Sequence, residues 1–338
     1  MKAAILFELN SPLLLENIDL TPLELGQVLV KITKSGLCGA QLQEIKGLKE
    51  NAKFLPHLLG HEGCGIVEEI GEGVTTVKKG DKVVLHWRKT NGIESNFPKY
   101  KWNGRTITGG KITTLSEYSI VSENRMTKVE DRVSDDFCAL LGCGLSTGLS
   151  VVNKEANIKF GESVLILGAG GVGLNCILAA NLSNAYPIVA IDINNIKKDL
   201  IKKNGGTLFT TNEVNKAFDF IQSIDCIIDT TGDYDLVSKC LPFLSEQGRC
   251  IFVAQPKQFS SLNIINPIKF FSSNGITFKT TQAGGFCPQI DIPKYINLFK
   301  NNKIDTNKII TDYYNLEDIN EAVTKLKLGN SGRIMINL

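Results

Sequence analysis

The run Gly168-Ala169-Gly170-Gly171-Val172-Gly173 constrains this chain more than any other stretch of its sequence. It falls between a buried-strand run, Ser163–Leu167, and a segment of helical apolar spacing, Val172–Leu182. A G-x-G-x-x-G pattern is weak by itself and becomes specific when a strand precedes it and a helix follows. Gly168 permits the tight turn, Gly170 lets the backbone approach a pyrophosphate, and Gly173 lets the helix pack closely on the strand. The helix start then presents free N–H groups and a positive dipole end to the phosphates. Such a loop asks for an acidic residue about 20 positions on. Asp192 stands nineteen residues after Gly173, at the end of the apolar run Pro187–Ile191. A carboxylate there accepts hydrogen bonds from ribose hydroxyls and repels a 2′-phosphate; with no arginine after it, NAD is expected over NADP.

The rest of the chain divides around this loop. Short apolar runs recur through the first 140 residues, at Ala3–Leu9, Gln27–Thr33, Cys64–Ile70, Lys82–Trp87 and Glu117–Val121, with turns between them such as Gly71-Glu72-Gly73. That pattern predicts a small antiparallel barrel or sandwich. After about residue 145, strands at Ile188–Ile191, Cys226–Asp229, Arg249–Val253 and Ile276–Lys279 alternate with helical segments, which predicts an α/β unit with a doubly wound parallel sheet. Helical segments at Pro293–Asn301 and Leu316–Leu328 and a strand at Arg333–Leu338 close the chain. Its 338 residues fit two domains. We expect one over 1–144, completed by 283–338, and a dinucleotide-binding one over 145–282.

A formal net charge of +2 and the absence of like-charge blocks point away from nucleic acid or an anionic membrane as partner. The first apolar run is broken at Glu8, without a cleavage site, and no apolar stretch reaches the length of a membrane span. Nine cysteines without framework spacing read as reduced thiols of a cytoplasmic protein.

Three segments carry metal-type residues: Gly36-Leu37-Cys38-Gly39-Ala40, Gly60-His61-Glu62-Gly63 and Gly142-Cys143-Gly144. Thiolate and imidazole suit Zn²⁺, and three protein ligands with an open fourth position define a catalytic site. Spacing alone does not select these residues. Cys64, Cys138 and Cys176 compete, and an isolated cysteine is ordinarily a small buried hydrophobe.

The chain resembles the zinc-containing medium-chain alcohol dehydrogenases over nearly its whole length. Pro56-His57-Leu58-Leu59-Gly60-His61-Glu62-Gly63 is similar to the family's G-H-E signature, and it runs on into Gly65-Ile66-Val67-Glu68 and Val77–Val83. Gly142–Gly148, Gly284-Gly285-Phe286 and Ser331-Gly332-Arg333 match as well. The resemblance implies a GroES-like catalytic domain joined to a Rossmann domain. It implies Cys38, His61 and Cys143 as zinc ligands, with Glu62 beside the metal or an alternate ligand. It places Thr147 against the nicotinamide ring, the Val172 N–H and Arg333 on the pyrophosphate, Lys197 on the adenosine ribose, and Trp87 in the substrate pocket. The implied reaction moves a hydride between an alcohol and NAD, with zinc as Lewis acid. Gly275–Thr280 resembles the strand through which relatives pair, so a homodimer or homotetramer is expected.

Three departures qualify this. The hydroxyl residue that starts the family's proton relay is Ala40 here, and an outer relay histidine corresponds to Gln43. Water, Glu62, His86 or a substrate hydroxyl would have to serve instead. The four closely spaced cysteines of a second, structural zinc site have no counterpart between Leu85 and Phe137, so one zinc per chain is expected. In their place stand basic and aromatic residues, including Arg88, Lys89 and Lys99–Arg105. These keep open a polyol, cyclitol or sugar-derivative substrate that is anionic, in which case neutralising Arg88 and Lys89 would raise its KM. A nucleotide-binding relative without turnover is the remaining alternative, against which the three intact ligands argue.

Overall fold

A computed structural model of the chain describes residues 1–49, 51–256, 260–264, 267–272 and 275–338. Contacts divide it into two units, Met1–Ser146 with Cys287–Leu338, and Thr147–Phe286.

The first unit is built on two sheets. One runs Leu14–Asn17, Lys2–Leu6, His57–Leu58, Arg105–Thr108, Lys99–Trp102, Asp19–Leu20. The other runs Met126–Lys128, Lys82–His86, Glu62–Ile70, Gln27–Leu37, Arg333–Asn337, Ile310–Asn315, with Tyr118–Ser122 also pairing on Gln27–Leu37. The long strand Gln27–Leu37 organises it. Val28, Val30 and Ile32 alternate along one face and pack with Val67, Val83 and Leu85 in a common core. Leu37 continues into another core with Leu59, Ile334 and Ile336.

Register then does the positioning. Ser35 lies opposite Gly63, Leu37 opposite Ile334, and Glu62 opposite His86. Cys38 follows one strand, His61 precedes a second and Arg333 starts a third, so residues far apart in sequence meet at one edge of three paired strands.

The basic segment Lys99–Arg105 lies in a hairpin. It forms the strands Lys99–Trp102 and Arg105–Thr108, paired antiparallel. Tyr100, Trp102 and Ile107 are buried, whereas Lys99, Lys101 and Arg105 face solvent. The Asn103-Gly104 turn, with both residues at positive φ, closes the hairpin and is its signal in the sequence.

The second unit is a doubly wound parallel sheet. Its order is Thr207–Thr210, Ile188–Asp192, Val164–Leu167, Ile224–Asp229, Leu244–Phe252, Thr277–Thr280, and every pair is parallel. Val164–Leu167 and Ile188–Asp192 are buried at every position, as helices on both faces require. The order reverses direction beside Val164–Leu167, and that is where a nucleotide crevice opens in such sheets. Among the described residues no helix is long and apolar enough to cross a membrane.

Candidate metal centre and dinucleotide loop

One ligand atom each from Cys38, His61 and Cys143 lies within 4.8 Å of the others. Cys38 caps the helix Gly39–Ile45 and is 8% exposed; His61 and Cys143 are half-buried. Hydrogen bonds from Cys143 and His61 hold the Cys38 thiol well below its ordinary pKa, against the upward push of burial, and the Arg333 charge helps. A thiol already biased to thiolate, a second sulfur and an imidazole make a donor set that fits Zn²⁺. The competing cysteines behave differently. A hydrogen bond that the Cys64 thiol donates to Cys138, together with burial, pushes that thiol up, and burial among apolar groups does the same to Cys176.

Glu62 is fully buried and ion-paired with Arg333, itself 2% exposed, while its Oε2 accepts the Gly144 N–H at 2.9 Å. Both carboxylate oxygens are therefore engaged by protein. Gly36 makes room for them, because a Cβ there would overlap the Glu62 carboxylate. Arg333 is held against Glu62 within the first unit, and its Nε has no hydrogen-bond partner among the described residues.

His86 is fully buried, with Nδ1 2.7 Å from Arg88 O and Nε2 2.9 Å from Thr127 Oγ1. Both nitrogens are used by a neutral ring, and burial pulls its pKa down to about 4. It is a packed histidine and makes a poor proton carrier. An unfolded imidazole protonates near pH 6.5, and the folded one resists until about 4. Stability is thus complete above pH 6.5 and falls as the pH drops through this window, by about 2 kcal/mol at pH 5. Urea melts at pH 7 and 5 should show this loss in the parent and not in His86→Gln; equal losses in both would refute it.

A cavity of about 520 Å³ in the same unit has His61, Phe54, Leu58, Trp87, Phe97 and Ile112 in its wall. Lys111 and Arg125 also reach it. Both contact Glu94, at 3.2 and 2.8 Å, and Lys89 lies 3.5 Å from the same carboxylate. Burial pushes the Glu94 pKa up, but hydrogen bonds from Arg125, Asn124 and Lys111 outweigh it and hold the carboxyl at about 2. The Arg88 guanidinium stands 5.5 Å from the centre of the Trp87 ring.

In the second unit Gly168 takes a positive φ of 84°, and a Cβ on Gly173 would overlap the Gly168 carbonyl oxygen. The helix Gly171–Leu182 begins at Gly170, with no side chain capping it and nothing within 4 Å of where a Gly170 Cβ would stand. That open, uncapped start suits a phosphate group. Asp192 is buried at the end of its strand, accepts the Ala169 N–H at 2.7 Å and pairs with Lys197 at 3.2 Å. Lys197 is 4% exposed, so it is not a solvated lysine. Thr147 is buried, and Gly171 and Val172 are half-buried.

Sequence reasoning missed three supports. Thr230 bonds the carbonyls of Leu167 and Gly168, and Glu94 gathers the basic side chains. Gln41 bonds His61. A threonine directly after a buried strand was a visible signal for the first; the others depend on tertiary contacts.

The fold and the two sites define a class. Residues 24–131 match the alcohol dehydrogenase GroES-like domain and residues 171–301 the zinc-binding dehydrogenase domain. Alcohol dehydrogenase 6 of Peromyscus maniculatus is 31% identical over 367 aligned positions, which cover 99% of this chain and 97% of that protein. The chain belongs to the zinc-containing medium-chain dehydrogenase family, in its alcohol dehydrogenase-like part. Solved structures share the fold at lower identity. An alcohol dehydrogenase zinc-binding domain protein from Burkholderia ambifaria has a TM-score of 0.91 at 24% identity, covering 100% of this chain and 98% of that one. Benzyl alcohol dehydrogenase from Acinetobacter calcoaceticus has 0.87 at 22%, covering 100% and 99%.

Proposed function

We propose that this chain is an NAD-linked alcohol dehydrogenase that holds one zinc ion per subunit and acts on an uncharged alcohol or aldehyde with an apolar body. One observation carries it: Cys38, His61 and Cys143 converge, and His61 also belongs to the wall of an apolar cavity of about 520 Å³. A protein that only bound nucleotide would have no physical need for that donor set.

Zinc held by Cys38, His61 and Cys143 would supply Lewis acidity to the substrate oxygen, and NAD would take or return the hydride. The chain's own residues supply the setting. Phe54, Phe97, Trp87 and Ile112 exclude water from the substrate's body and orient it. The glycine loop offers its amides to the pyrophosphate, and Asp192 braces that loop through Ala169. Thr147, Lys197, Val172 and Arg333 remain proposed cofactor contacts. The fully exposed outer strand Thr277–Thr280 offers an edge for pairing two subunits.

Proton release has no side-chain relay among the candidates: Ala40 carries no proton, His86 is committed, and Glu62 is paired with Arg333. Water or a hydroxyl of the substrate then carries the proton. In Ala40→Ser a hydroxyl enters this path, and the pH profile of kcat should shift while turnover persists. An unchanged profile would count against a relay-free parent.

The engaged cations favour the uncharged substrate over the anionic alternative. Arg88 lies over Trp87 and Lys89 on Glu94, and neither is in the cavity wall. Changing both to Gln should leave the KM of a carboxylated alcohol within about twofold of the parent, since exposed ion pairs contribute little. A tenfold rise restricted to anionic substrates would restore the alternative.

The function itself is tested by incubating zinc-loaded protein with NAD and a panel of aliphatic, aromatic and polyhydroxy alcohols, following NADH absorbance. One zinc per chain by elemental analysis and NADH formation with apolar alcohols are expected. No NADH from any of them would overturn the proposal.

A further inference from the structure

Gln41 is 1% exposed and lies between two of the three metal-type residues. Its Oε1 accepts the Cys38 backbone N–H at 2.9 Å, and its Nε2 stands 2.5 Å from His61 Nδ1. A carboxamide has one acceptor oxygen and one donor nitrogen. In this orientation Gln41 donates to Nδ1, which suits an imidazole whose proton sits on Nε2. A metal-ligating imidazole is arranged the other way: one nitrogen binds the metal and the other donates its N–H to an oxygen. Since Nδ1 faces Gln41, Nε2 is the nitrogen left for a metal, and Nδ1–H must then find an acceptor on Gln41. That acceptor is the same oxygen the Cys38 N–H uses. Turning the amide over only exchanges the problem, because its NH₂ then faces the Cys38 N–H, donor against donor, in a buried place. Two donors thus compete for one amide oxygen in either orientation.

We propose that Gln41 is a positioning residue that limits how tightly this centre holds its metal, because its amide presents an oxygen to only one of the two donors, here the Cys38 N–H, and turns its NH₂ to the other, His61 Nδ1. A carboxylate at this position has two acceptor oxygens, one for each donor. It would also make the imidazole a better ligand, and such partners change metal affinity by about 10- to 100-fold. The inference rests on the metal centre proposed above.

Zinc affinity of the full chain, of Gln41→Glu and of Gln41→Met, measured by competition with a chromophoric chelator, tests this. The ¹⁵N signals of the His61 ring in the zinc-loaded proteins, identified by their absence in His61→Ala, are recorded alongside. Gln41→Glu should bind zinc about tenfold or more tighter, with the Nδ1–H resonance moved downfield; Gln41→Met should bind about tenfold or more weaker. Affinities within about twofold of the parent in both variants would overturn the inference. So would a tighter Glu variant beside an unchanged Met variant, since that pattern needs only added negative charge. If Gln41→Met fails to fold, a Glu variant no tighter than the parent, or an unmoved ring signal, still overturns it. A parent that binds no zinc at all would overturn the metal centre and this inference together, whereas a zinc-binding parent with indifferent variants would overturn this inference alone.

Discussion

Replacing His61 with Ala is expected to cost the chain its zinc and its turnover. The site offers two sulfurs and one imidazole within 4.8 Å, and removing one of three ligands leaves a pair that cannot enclose the ion. Loss of a mere hydrogen-bonding partner of a ligand costs 10- to 100-fold in affinity, so loss of the ligand itself should exceed about 100-fold. NADH formation should fall to the level of the protein-free control. Folding should survive, because His61 is half-buried and the surrounding strands are held by Val28, Val30, Val67 and Leu85. Circular dichroism and zinc content per chain check the two halves of this expectation. A folded His61→Ala protein that retains zinc and oxidises alcohols at the parent rate would mean that the three side chains do not form the working centre.

The second large effect concerns stability. Arg333→Met leaves the Glu62 carboxylate buried with only the Gly144 N–H to satisfy it. Breaking a buried ion pair by removing one member costs about 3–5 kcal/mol, since the survivor is an uncompensated charge in a poor dielectric. For a unit of this size the melting temperature should drop by roughly 10 °C. The double variant Glu62→Gln, Arg333→Met removes the stranded charge and should recover most of that loss. Thermal melts of the three proteins decide it. A single variant that melts within about 2 °C of the parent would show that solvent reaches Glu62 and that the pair contributes little.

The sequence carried the glycine loop in full. Gly168 with its positive φ and Gly173 with its close approach to the Gly168 carbonyl are needed by the local backbone, so they are legible without any knowledge of the rest of the fold. Asp192 was legible for a related reason: a strand followed by a helix sets a nearly constant spacing. The buried parallel strands were equally clear, because burial on both faces forces continuous apolar runs. The hairpin about Asn103-Gly104 was written in the sequence too, in charged residues alternating with the buried Tyr100, Trp102 and Ile107.

The metal-type residues themselves stand in the sequence, and resemblance was enough to group them. What no linear reading supplied was their company. Glu62 meets Arg333 because register places Leu37 opposite Ile334 and Ser35 opposite Gly63, a pairing across hundreds of residues that no local rule encodes. His86 lost its candidacy as a proton carrier only when Arg88 and Thr127 were seen on its two nitrogens. That Glu94 stands among Lys89, Lys111 and Arg125 was equally invisible in the linear sequence. Backbone conformation and burial period are local properties, and the sequence determines them directly. Charge pairing and hydrogen-bond satisfaction depend on which distant strands meet, and only the tertiary structure decides that.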